Sequence, residues 1–217
     1  MKKGIRVNQS TRRDCLLKCV ALGSLRVLPG LAVADAVLAF ETQEARASLK
    51  PTPRNETGPF YKRLAPNSAH LRGAGDPGLP LRVDGRVRNV RGEVMPVAKV
   101  EIWQADHLGS YDLEGFRYRA SLSSDASGQY SFDSVMPGHY PGRVCQHIHY
   151  AVTAPGHKPL ITQLYFATDP AFEGDPERNY TRDPILISRE LVRPVTLAGD
   201  PDAIHAHVDF DIVLEPL

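Results

Sequence analysis

Between residues 81 and 88, Leu81, Val83, Gly85 and Val87 alternate one for one with Arg82, Asp84, Arg86 and Arg88. A period of two belongs to a strand with one face in a core and the other in water, and a helix does not accommodate it. The alternation returns at the far end of the chain. There a strand over 206–214 turns Val208, Phe210, Ile212 and Leu214 inward and Asp209 and Asp211 outward. Further short strands are expected over 97–104, 118–122, 129–135, 147–153 and 160–168, with 190–197 extended. Turn signals separate them, among them Arg91-Gly92, Asp125-Ala126-Ser127-Gly128, Met136-Pro137-Gly138 and Ala154-Pro155-Gly156. The 17 Gly and 18 Pro suit strands joined by turns rather than long helices. The fold class that follows is all-β, a β-sandwich over 81–217. The chain has 217 residues and is 42% hydrophobic, enough for one domain with a real core. It shows no internal repeat and no second domain.

Ahead of the sandwich, residues 41–80 are polar and turn-rich and read as a loop-rich N-terminal arm. Within it, Thr57-Gly58-Pro59-Phe60-Tyr61 sets an aromatic pair behind a Gly-Pro turn, as an anchor on the body or the rim of a pocket. Residues 1–40 read as an export signal. Lys2, Lys3 and Arg6 make a basic start. Ser10-Thr11-Arg12-Arg13-Asp14-Cys15-Leu16-Leu17-Lys18 then resembles the twin-arginine type, with Cys15 where that signal often has Phe. The apolar stretch after Cys19 is broken by Arg26 and Pro29, so it does not span a membrane. Ala32-Val33-Ala34 and Ala34-Asp35-Ala36 are small-residue cleavage sites. The expectation is an exported, periplasmic protein with no membrane span in the mature chain. Cleavage would leave Cys145 as the single cysteine, so no intrachain disulfide forms. The net charge of +1 gives no nucleic-acid footprint.

The chemistry concentrates in residues 140–149, where Tyr140, Arg143, Cys145, His147 and His149 stand close together. On a strand His147 and His149 share a face and reach one metal ion, while Ile148, Tyr150 and Val152 fill the opposite face. Further ligands are sought in Tyr111, Tyr140, Cys145 and the second pair, His205 and His207. That second pair continues into Asp209 and Asp211, which favours a solvated outer face over a surface divalent-metal site. Cys145, His147 and His149 together would suit zinc or copper; alternatively Cys145 is a small buried hydrophobe. Tyr111 and Tyr140 each lie near a Gly, in or beside a loop, where a phenol turns towards a site. Two imidazoles with two phenolates carry a charge of −2, which favours Fe(III). Trp103, the single tryptophan, is assigned to core packing.

Several segments in order resemble the intradiol ring-cleavage dioxygenases. They are Val100-Glu101-Ile102-Trp103-Gln104-Ala105-Asp106, Gly109-Ser110-Tyr111, residues 125–132, Pro137-Gly138-His139-Tyr140-Pro141, His147-Ile148-His149 and Thr162-Gln163-Leu164-Tyr165-Phe166. The resemblance runs from about Thr57 to Phe166 and includes the Gly-Pro-Phe-Tyr element. It implies non-haem Fe(III) held by Tyr111, Tyr140, His147 and His149, with Tyr140 and His149 axial. It also implies a catechol-type substrate and O2, and ring cleavage between the two hydroxyl-bearing carbons. Arg143 and Gln163 are implied as supporting residues at the ring, and Tyr140 as a ligand that leaves when substrate binds. Members of the family often assemble, which leaves a homo-oligomer open. One departure stands out. The family pattern puts an arginine three residues before the first histidine and a proline after it. Here Arg143 is four before His147 and no proline follows it. In an extended strand one residue flips the face, so Arg143 would point away unless a bulge restores it. Two other readings compete: a metal enzyme on the same sandwich built from Cys145, His147 and His149, and a prealbumin-like module that only binds.

Overall fold

The computed structural model describes residues 48–200 and 203–217, so the export signal expected over 1–40 lies outside the described residues. The strands are β1 (Pro80–Asn89), β2 (Lys99–Trp103), β3 (Arg119–Ser123), β4 (Gln129–Val135) and β5 (His147–Thr153). They continue with β6 (Leu160–Phe166), β7 (Val192–Arg193), β8 (Thr196–Ala198), β9 (His205–Asp209) and β10 (Ile212–Leu214). Two five-stranded sheets result. In the first, β1 pairs antiparallel with β4 and parallel with β9 and β10, and β8 adds to β9. The second runs β3-β2-β5-β6-β7, with β5 at its centre.

The alternation that defines β1 is spent as the sequence dictates: Leu81, Val83 and Val87 are buried in the core. The two sheets meet through aromatic side chains. Tyr150 of β5 packs against Tyr130 and Phe132 of β4, with ring centroids 6.3 Å away in both cases, and against Phe210 at 5.0 Å. Fully burying an apolar side chain contributes about 1.5–3 kcal/mol, so burial of this inter-sheet layer stabilises the sandwich.

The single strand expected over 206–214 is two strands. Phe210 donates its N–H to the Asp84 carbonyl, and the Asp211 carboxylate accepts the N–H of Arg86. These bonds take the place of ladder bonds opposite Gly85 and Arg86. The register survives the break, because Asp84 faces Asp209 and Val87 faces Ile212. The inward set Val208, Phe210, Ile212 and Leu214 is buried throughout. The extended segment expected over 190–197 is a 3-10 turn, Arg189–Leu191, followed by the short strands β7 and β8. Ser188 starts that turn by accepting the Glu190 N–H.

The arm over 48–79 contains no strand, only bridges such as Asn67 to Ser121 and His70 to Asp133. It is pinned to both sheets by backbone bonds, from Thr52 to Val213, Asn55 to Ile161 and Ser121 to Pro66. That path carries residues 52–60 over the outer face of β5 and β6. Among the described residues no helix is long and apolar enough to cross a membrane.

Candidate metal centre

The pleat of the second sheet lays one row of side chains across three strands. Trp103 of β2 lies opposite His149 of β5, which lies opposite Gln163 of β6, and His147 lies opposite Tyr165. Residues in register share a face, so Trp103, His147, His149, Gln163 and Tyr165 form one patch. Ile148, Tyr150 and Val152 turn to the core, as the alternation requires. The imidazole face is buried as well, with His147 2% and His149 1% exposed. Trp103 does more than fill the core: its ring stacks on His149 at 5.0 Å and 5°.

Two loops bring the phenols over this patch. Tyr111 comes from the β2–β3 loop and Tyr140 from the β4–β5 loop, with their rings 5.6 Å apart and edge to face. The loops clasp through glycine: any side chain at Gly109 would collide with the His139 carbonyl beside Tyr140. Phe60 of the arm stacks on Tyr111 at 4.1 Å and 16°, so the Gly-Pro-Phe-Tyr element anchors the arm and walls the site together. The Tyr140 hydroxyl is 3.0 Å from His147 Nε2.

The protonation pattern follows from these contacts. His147 Nδ1 donates to the Cys145 carbonyl at 2.8 Å, which leaves the Nε2 lone pair facing the phenol. Burial, reinforced by the Arg143 charge, holds the His147 pKa down at about 3. Burial and then His147 push His149 well below its ordinary value. Both imidazoles are therefore neutral at pH 7. The Tyr111 hydroxyl and His149 Nδ1 are buried with no hydrogen-bond partner. Such orphaned groups are costly in a finished core. Burial raises the Tyr111 pKa strongly, with the neighbouring Tyr140 adding to it. A cation held at the phenol would reverse that trend.

Arg143 reaches the site, against the face-flip expected from its spacing. The strand begins only at His147, so strand parity does not govern residue 143. Instead Tyr140-Pro141-Gly142-Arg143 is a turn, closed by the Arg143 N–H on the Tyr140 carbonyl at 3.1 Å, with Gly142 at φ 87°. The guanidinium donates from Nη1 towards His147 Nε2 at 2.9 Å, and from Nη2 to Gln163 Oε1 at 2.8 Å and the Tyr165 hydroxyl at 2.9 Å. Gln163 meets the site through Arg143: its amide donates to the Glu56 carbonyl, and its oxygen also accepts from Tyr165.

The other candidates go elsewhere. Cys145 lies two residues before β5 and belongs to the apolar core, 1% exposed, where burial and then Asp169 push its thiol up to about 12. Among the described residues no three His, Cys, Asp or Glu side chains cluster to hold a metal, so the Cys145, His147, His149 set is not assembled. On β9, His207 pairs with Asp84 at 3.0 Å, half exposed. Sequence reasoning missed Arg119, buried behind Tyr111 with its guanidinium 5.7 Å over that ring and donating to the Phe60 carbonyl. It missed Asp169 as well, buried after β6 and accepting from the Gln146 N–H and Ala171 N–H, with His139 beside it. Neither stands in a local pattern. Tyr165 could have been found, because its register with His147 follows from placing β5 and β6 side by side.

Comparison with known proteins agrees with this geometry. The profile of a family described as Dioxygenase matches residues 56–216. Catechol 1,2-dioxygenase 2 of Acinetobacter lwoffii is 36% identical over 163 residues, 61% of this chain and 58% of that protein. Hydroxyquinol 1,2-dioxygenase of Rhodococcus opacus is 31% identical over 73% of this chain and 62% of its own length. This chain thus spans about three-fifths of those relatives. Among solved structures, the dioxygenase domain of a dioxygenase carbohydrate-binding protein fusion from Streptomyces sp. SirexAA-E is similar at TM-score 0.68 and 33% identity. That match covers 77% of this chain and 100% of that one. Catechol 1,2-dioxygenase from Acinetobacter sp. ADP1 gives TM-score 0.65 and 29% identity, covering 84% of this chain and 67% of that one.

Proposed function

The chain belongs to the intradiol ring-cleavage dioxygenase family, and on that premise we propose that it cleaves a catechol-type ring between the two hydroxyl-bearing carbons with O2. In this reading Tyr111, Tyr140, His147 and His149 hold a ferric ion. The observation that carries it is a donor set short of protein partners. It comprises an orphaned phenol, an orphaned imidazole nitrogen, and a second imidazole whose backbone bond at Nδ1 turns the Nε2 lone pair towards Tyr140 and Arg143 at the centre. A set of two phenolates and two imidazoles suits a hard trivalent cation better than zinc. When bound, the ferric ion supplies the Lewis acidity that makes a catecholate reactive towards O2.

The protein's own groups do the rest. Tyr140, which would be a phenolate as a metal ligand, would then be placed beside His147 Nε2 to take a proton from a substrate hydroxyl. The Arg143 guanidinium lies against the same nitrogen and favours negative charge developing on the ring. Phe60, Trp103 and Tyr165 enclose the centre in aromatic surface and keep water from the ligands. Export of the folded chain by a twin-arginine signal over 1–40 belongs to the same proposal, because folded export lets the metal be loaded first. It is supported by the order of basic start, arginine pair, apolar stretch and small-residue cleavage sites.

The test is a visible spectrum of the purified protein beside its metal content, before and after anaerobic addition of catechol. A tyrosinate-to-iron band that shifts with catechol supports the reading. A colourless protein that takes up no iron on reconstitution overturns it.

A further inference from the structure

We infer that Asp183 is a positioning residue for Arg143: a buried carboxylate, delivered by the long loop after β6, that fixes the guanidinium at the metal centre. The inference rests on the functional reading above and adds a residue to it.

The argument starts from the displaced arginine. Arg143 is off the strand, so the sheet does not set its direction. Yet its side chain is only 8% exposed. Its partners at the centre, His147 Nε2, Gln163 Oε1 and the Tyr165 hydroxyl, are all neutral acceptors. A buried cation needs a counter-charge as well as hydrogen bonds. Asp183 supplies it, with Oδ2 3.5 Å from Arg143 Nε and the side chain 1% exposed. Among the described residues this is the one ion pair that Arg143 makes. The other buried carboxylate nearby, Asp169, is engaged by Gln146, Ala171 and His139.

Asp183 also grips the chain beside the arginine. Its Oδ2 accepts the Cys145 N–H at 3.2 Å, and its Oδ1 accepts the Ile185 N–H at 2.9 Å. Cys145 in turn offers its carbonyl to His147 Nδ1. One carboxylate therefore faces the guanidinium as a counter-charge, with no hydrogen bond to Nε, and binds a peptide N–H two residues on. That constraint takes over from strand register, which cannot reach residue 143. Asp183 makes no hydrogen bond or ion pair with the four donors; its two routes to the centre are the Arg143 guanidinium and the Cys145 peptide that holds His147 Nδ1, and the double variant separates them.

The test uses the iron-loaded full chain and four variants: Asp183→Asn, Asp183→Glu, Arg143→Ala and the Asp183→Asn/Arg143→Ala double variant. Each is assayed for iron content, cooperative unfolding, anaerobic catechol affinity from the visible band, and steady-state ring cleavage. Asp183→Asn is expected to keep its iron, its unfolding transition and its catechol affinity while kcat falls roughly tenfold. Asp183→Glu, which keeps the charge, is expected to recover most of that loss. In the Arg143→Ala background, Asp183→Asn is expected to change kcat by less than about twofold. An unchanged kcat in Asp183→Asn, an equal fall in both backgrounds, or loss of iron or of cooperative unfolding in Asp183→Asn would each overturn the inference. Failure of the functional reading looks different, because the unaltered protein would then show no iron band and no cleavage.

Discussion

The molecule carries the His-x-His spacing twice, on two strands of similar length, and the two copies have opposite fates. His147 and His149 sit on β5, the middle of the second sheet, with both faces of the strand buried. His205 and His207 sit on β9 in the first sheet, on a face that remains half open to water. There His207 lies within 3.0 Å of Asp84 and 3.8 Å of Asp209. Local geometry is the same in both, two imidazoles on one side of a pleat. What differs is the covering. The outer face of β5 is roofed by the arm and by the two tyrosine loops, while nothing comparable covers β9 among the described residues. Desolvation keeps the first pair neutral, the protonation state in which an imidazole binds a metal. The second pair lies in a solvated polar cluster with Asp84.

The contrast breaks most cleanly at the proposed ligands. His147→Ala is expected to abolish stoichiometric iron binding, because three protein donors remain, whereas His207→Ala should keep full iron by metal analysis. Normal iron in His147→Ala would dissolve the distinction between the two pairs. Next in size, Tyr140→Phe should lose or shift the visible band and lower kcat by about a hundredfold or more. An unchanged spectrum and rate would remove Tyr140 from the centre.

A third measurement sharpens the comparison through pH. In the metal-free protein, His147 titrates near 3 when folded and near 6.5 when unfolded, and His149 is depressed in the same direction. Between those values the unfolded chain binds more protons, so stability rises with pH. The denaturation midpoint should therefore fall steadily as pH drops from about 6.5 to about 3. Replacing His147 with Asn should flatten that slope. The smallest effect belongs to the exposed cluster: Asp84→Asn should cost under about 1 kcal/mol in urea unfolding, shrinking further in high salt.

The limits of sequence reading show at particular residues. The bounds of β4 and β5 follow from alternation and from flanking turns, and the structure starts and ends them where those signals stand. The break between β9 and β10 leaves no trace in the pattern, because inward residues keep alternating across it. Strand parity predicts that Arg143 faces away, yet the residue sits in a Pro-Gly turn that parity does not govern. Asp169 and Asp183 look like ordinary loop acids, since nothing near them in sequence marks them as buried.

What the sequence determined by itself is periodic or local: strands of period two, turns at Gly and Pro, paired imidazoles on one face, and two tyrosines in loops. Each of these follows from steric rules that act within a few residues. Only the tertiary structure decided which His-x-His pair lost its water. It also decided that Phe60 and Trp103 would enclose the centre, and that a carboxylate forty residues downstream would balance Arg143. Burial and charge pairing depend on what the rest of the chain lays over a face, and that is a property of the packed molecule.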